Sequence, residues 1–168
     1  MALTNLHNYS VQEKLNKMDV DVITLTAVCN AEASEVATSI FQADEIANAV
    51  AVKGGTCLLH SVGLLDDDAH GEAIDLVFMD TTGLLDATDD GTVIDAAVGV
   101  IPDAILGVVS ISSYFDGVAW KYGHKENIGL VLKAASGSTS IYVSGINRGS
   151  TQTWTASGLR LKLGFIKD

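Results

Sequence analysis

The chain has 168 residues, a length that suits one domain and buries roughly 70% of the surface its unfolded form exposes. Hydrophobic residues make up 48% and charged residues 18%, which excludes an intrinsically disordered chain. The formal net charge of −11 argues against a nucleic-acid partner, which requires a dense basic footprint.

Met1 to Asp19 is polar, with Val11, Leu15 and Met18 spaced for one helical face. It reads as an N-terminal arm or short helix that orders against a partner. It lacks the basic and apolar regions of a signal peptide, and no run of the chain reaches the roughly 20 apolar residues that span a bilayer. A soluble protein made in a cytoplasm, with no membrane partner, is therefore expected.

From residue 20 to residue 168 the pattern predicts a mainly β, antiparallel sandwich or jelly-roll-like domain with one or two short helices. Val20 to Val28 is rich in β-branched residues and reads as a strand. Asn30 to Ala37 reads as a helical turn or a loop. Ile46 to Val52 and Thr56 to Leu65 read as two strands joined by a hairpin at Lys53, Gly54 and Gly55. Asp66 to Gly71 is a polar turn, and Ala73 to Met79 is the next strand. Thr81 to Thr92 reads as a loop. Ile101 to Gly107 reads as one helical turn, with Pro102 opening it and Gly107 closing it. Strands are expected at Val108 to Ser112, Asn127 to Ala134, Ser140 to Ile146 and Leu159 to Ile166. The last alternates most clearly: Leu159, Leu161, Leu163 and Phe165 face one way, and Arg160, Lys162 and Gly164 form a wet, basic face.

Charge is unevenly spread. Residues 1–117 carry three lysines against 19 carboxylates, for −16, while residues 118–168 carry seven cations against Glu126 and Asp168, for +5. Either this polarity orients the protein on a charged neighbour, or the two halves interleave in space and it vanishes.

Few residues invite chemistry. Cys29 and Cys57 sit beside apolar neighbours and read as two reduced, buried thiols. The acidic turn Asp66, Asp67, Asp68, Ala69, His70, Gly71 is the best calcium candidate, yet Val77 stands where an EF-hand needs its closing glutamate, so a solvated turn is the simpler account. Asp86 to Gly91 is judged alike. His7, His60, His70 and His124 are scattered without a relay, and no serine occupies a G-x-S-x-G elbow. Lys53 to Thr56 lacks the frame of a phosphate loop. No residue is assigned a catalytic, cofactor-binding or metal-binding role, no cofactor is implied, and no enzymatic activity is expected. Tyr114, Phe115, Trp120, Tyr122 and Trp154 either fill the sandwich or form a subunit contact or sugar platform.

Ile46 to Val50, Gly54 to Thr56, Ala73 to Phe78, Asn127 to Tyr142 and Thr155 to Leu159 together resemble small virion proteins of tailed phages, often encoded near the major capsid protein. The resemblance covers residues 20–168 and is one of hairpins and glycine turns. It implies a subunit that decorates or cements the outer surface of the capsid by binding the major capsid protein, commonly as a homotrimer. A tail, baseplate or head-fibre component recognising a host glycan through Trp120, Tyr122 or Trp154 is the alternative.

Overall fold

The computed structural model describes residues 20–81 and 104–167. The expected N-terminal arm, all but the first residue of the loop expected at Thr81 to Thr92, the acidic cluster Asp86 to Gly91 and the turn-opening Pro102 lie outside these residues.

Among the described residues twelve strands follow one another: β1 (Val20–Thr26), β2 (Ala33–Ser34), β3 (Ser39–Ile46), β4 (Thr56–Asp66), β5 (Ile74–Met79), β6 (Ile105–Ile111), β7 (Tyr114–Asp116), β8 (Lys121–Lys125), β9 (Leu130–Lys133), β10 (Ile141–Asn147), β11 (Gln152–Thr153) and β12 (Leu159–Lys167). They build a six-stranded sheet in the order β1-β12-β4-β8-β7, with β9 also paired to β4, a four-stranded sheet in the order β3-β10-β5-β6, and a small two-stranded sheet of β11 and β2. Every pairing is antiparallel. The two sheets pack face to face as the mainly β sandwich the sequence predicts.

The core follows from period-two alternation. On β12, Leu159, Leu161, Leu163 and Phe165 are all fully buried, while Arg160 and Lys162 are exposed. Leu59 and Leu64 of β4 join them from the same sheet. Across the gap stand Phe41 and Ile46 of β3, Ile141 and Val143 of β10, Ile74, Leu76 and Phe78 of β5, and Val109 and Ile111 of β6. Gly145 on β10 leaves the space that the Phe41 ring occupies, because a Cβ there would meet the ring. The Cys29 and Cys57 thiols are free and buried, as expected.

Three local expectations are corrected. Ile46 is the last residue of β3, and residues 47–55 form turns that cross from one sheet to the other, so no hairpin joins Ile46–Val52 to Thr56–Leu65. The true strand, β3, begins earlier. Its alternation is broken where Ala43 adopts a φ of 47° and the pairing with β10 shifts register, which hid it from a period-two reading. Residues 105–107 extend β6 rather than closing a helical turn, because Ile105 and Gly107 pair with Met79 and Phe78. In Asn30 to Ala37, the loop alternative holds, with β2 embedded in it.

Candidate functional site

The outer face of the six-stranded sheet is an open trough, and it is assembled by cross-strand rows. Phe115 (β7), Tyr122 (β8), Leu65 (β4), Arg160 (β12) and Thr26 (β1) lie in one row, each paired with the next. The next row holds His124, Gly63, Lys162 and Thr24, and the next Ser61, Gly164 and Val22. Trp120 adds its indole from the turn between β7 and β8, which closes with the Gly117 N–H donating to the Trp120 carbonyl at 2.9 Å.

Two adjoining hollows make up the trough. One, of about 430 Å³, is lined by Leu65, Asp67, Phe115, Trp120, Tyr122, Arg160 and Lys162. The other, of about 350 Å³, shares Tyr122 and Lys162 and adds Val22, Ser61, His124, Lys125 and Glu126. Gly63 and Gly164 form its floor. The Tyr122 hydroxyl rests over Gly63, where a Cβ would collide with it, and the Tyr122 ring stacks on His124 at 6.1 Å with 13° between planes. Phe115 and Trp120 meet at 5.8 Å and stay 67% and 40% exposed. Two aromatic pairs thus offer ring faces to solvent at the same end of the sheet.

Charge gives the trough a sign opposite to that of the whole chain. Arg160 grips Asp67 through both Nε (3.0 Å) and Nη2 (2.6 Å). Lys162 and Lys125 form no ion pair among the described residues, and only Glu126 opposes them on the rim. Ser61 and His124 share the trough, yet no hydrogen bond joins them among the described contacts.

The acidic turn does different work. Asp66 is buried, and its carboxylate accepts the N–H groups of Asp68 (3.1 Å) and Gly71 (2.7 Å). Asp68 accepts the Thr155 N–H at 2.8 Å, and Asp67 is taken by Arg160. Glu72 accepts from Ser150, whose hydroxyl and N–H both hold the Glu72 carboxyl below its usual range. His70 meets the Thr153 carbonyl at 3.0 Å and packs edge-on against Trp154 at 5.3 Å. Asp67, Asp68 and Glu72 thus stitch this turn to residues 150–160, while Asp66 ties the turn to itself. No group of three or more His, Cys, Asp or Glu side chains among the described residues is placed to hold a metal ion.

Of the five aromatic residues singled out in the sequence, three reach the trough. Trp154 is fully buried, and Tyr114 turns inward and donates its hydroxyl to the Glu72 carbonyl at 2.7 Å. The basic face of β12 was legible in its alternation. Leu65, His124, Val22 and the glycine floor were not, because only strand pairing brings them beside the aromatic hairpin. Lys53 and Gly54 lie in the turn that leads into Thr56 of β4, and the Gly54 N–H donates to the Ser138 carbonyl, consistent with a structural role. No helix among the described residues is long and apolar enough to cross a membrane. No protein-family model matches the chain, and no curated protein matches it in sequence.

Proposed function

We propose that this protein is a structural subunit of a tailed-phage particle, a decoration or cement protein that seats on the outer surface of the capsid and binds the major capsid protein through the trough. The observation that carries the reading is the gathering of exposed aromatic rings with Lys125 and Lys162, which form no ion pair among the described residues, on one sheet face of a chain whose net charge is −11. Exposed Trp and Tyr beside cations are the residue types that anchor protein interfaces, and a basic patch on an acidic molecule selects an acidic partner and fixes its orientation. An acidic body is repelled by packaged DNA, which favours the outside of the shell. Such a subunit acts by mass action: by binding only the assembled lattice, it stabilises that state without chemistry.

The resemblance of residues 20–168 to phage virion proteins supports this reading, and the sandwich fold is compatible with it. The test is direct. Purified protein is mixed with expanded capsids, and binding and capsid melting temperature are measured, with Lys162→Glu and Trp120→Ala as controls. Saturable binding that raises the melting temperature, weakened by both variants, supports the proposal. Capsids that ignore the wild-type protein sink it.

The exposed faces of Trp120 and Phe115 favour one second reading, a tail, baseplate or head-fibre component that stacks a host sugar on these rings. A glycan array probed with the wild type and with Trp120→Ala separates the two. Trp154 has no part in this reading, since its indole is sealed in the core.

A further inference from the structure

Among the described residues the two main sheets have five edge strands, β1, β7, β9, β3 and β6, and four of them are short, bulged or covered; β9, paired only with β4, has four residues and ends in Lys133. The edge strand β7 has only three residues and ends in Asp116. The pairing of β3 shifts register twice and bends at Ala43. The pairing of β6 shifts between Phe78 and Met79, and the Leu130 side chain from the opposite sheet packs at Gly107, where a Cβ would meet its methyls. Short, bulged or covered strands are how proteins prevent edge-to-edge association.

The fifth edge, β1, carries none of these devices among the described residues. Its seven residues pair with β12 in unbroken register from Val20 to Thr26. They include no proline, glycine or lysine, and the sole charge, Asp21, is held by Lys167 of β12 at 2.6 Å. Val20 and Val22 are 53% and 66% exposed, and the inward-facing Ile23 and Leu25 are only half-buried against the core. Among the described residues β12 is its one neighbouring strand, so the outward N–H and C=O groups of a strongly β-prone sequence have no strand partner there.

We infer that β1 is a self-association element, pairing antiparallel with β1 of a second copy about a two-fold axis through Ile23. The charge pattern selects this arrangement. Antiparallel pairing about Ile23 sets Asp21 opposite Leu25, Val22 opposite Thr24 and Val20 opposite Thr26. A parallel, in-register pair would set Asp21 against Asp21. Pairing covers the half-open Ile23 and Leu25 and completes the backbone hydrogen bonding of the edge. It also joins two troughs. Val22 lines the trough, so the partner's strand continues the trough wall and repeats the lysines and rings on one wide face.

Sedimentation equilibrium of the full chain, with hydrogen exchange at β1, tests this. The wild type is expected to dimerise, and its β1 amides to gain protection as concentration rises. Val22→Lys with Thr24→Lys sets lysines opposite one another twice across the axis and is expected to raise the dimer dissociation constant about thirty-fold. Val22→Lys with Thr24→Glu sets opposite charges at the same places and is expected to restore pairing, and since both positions are exposed, the variants keep the wild-type circular dichroism spectrum. A chain that stays monomeric, or a dimer or trimer that the two lysines leave intact, overturns the inference. So does concentration-independent protection of β1, which would give the edge to this chain's own residues 1–19.

Discussion

Trp120 and Lys162 line one hollow from the β7–β8 turn and from β12, and each is exposed enough to be replaced without disturbing the core. Trp120→Ala and Lys162→Glu are therefore expected to change stability by no more than about 0.5 kcal/mol while weakening capsid binding, measured by urea unfolding and co-sedimentation. Asp66 is the opposite case. Its carboxylate satisfies two backbone N–H groups from within the core, so Asp66→Ala strands both donors and is expected to cost about 1–3 kcal/mol. The two thiols make a further residue-scale prediction. Burial pushes Cys29 up to about 12 and Cys57 up to about 11, from an ordinary 9.0. Because the folded values lie above the unfolded one, their contribution to stability is complete below about pH 9 and is lost as pH rises toward 11 and 12. The native protein should resist a thiolate-selective reagent at pH 8 and react on unfolding. Its urea midpoint should fall on the alkaline side, less steeply in Cys29→Ala/Cys57→Ala.

At the scale of elements, two glycines in neighbouring layers separate packing from function. A Cβ at Gly145 meets the buried Phe41 ring, which has nowhere to go, so Gly145→Ala on β10 is expected to cost about 1–3 kcal/mol. A Cβ at Gly63 on β4 meets the tip of Tyr122, a side chain that borders open trough, so Gly63→Ala is expected to cost under about 1 kcal/mol and to reshape the trough. Thermal unfolding of the pair gives the contrast directly. The stitched loops respond to acid. Ser150 holds the Glu72 carboxyl below 4.5, while at Asp75 burial pulls upward but the Ser110 hydroxyl and the Arg148 guanidinium outweigh it and keep the group below 3.8. Both folded values lie under the unfolded ones, so this stabilisation is present above about pH 4.5 and is lost as pH falls through that range. Hydrogen exchange in 147–153 should rise there before the central strands of the sandwich open.

For the whole molecule, the uneven charge of the sequence resolves into internal pairing. All four ion pairs among the described residues, Asp116–Lys121, Asp75–Arg148, Asp67–Arg160 and Asp21–Lys167, join a carboxylate from residues 1–117 to a cation from residues 118–168. The halves interleave, β1 and β4 from the first lying on either side of β12 from the second. Exposed pairs contribute little stability, so salt is expected to shift the melting temperature only slightly while weakening trough binding more strongly. Lys125 and Lys162, which form no ion pair among the described residues, give the trough its distinct sign.

The sequence by itself determined the sandwich class and most strand positions, because hydrophobic alternation is a local property that a strand displays wherever it ends up. The alternation of β12 announced both the core face and the basic face that became part of the trough. Where alternation broke, as in β3 with its bulge at Ala43, or where strands were too short to show it, as in β2, β7 and β11, the sequence was silent. Only the tertiary structure decided which strands are neighbours. Rows such as Phe115–Tyr122–Leu65–Arg160 join residues up to 95 positions apart, and that pairing is set by core packing across two sheets. The same packing buried Trp154, consumed the acidic turn as a clasp and, among the described residues, left β1 as a long edge without a second strand partner.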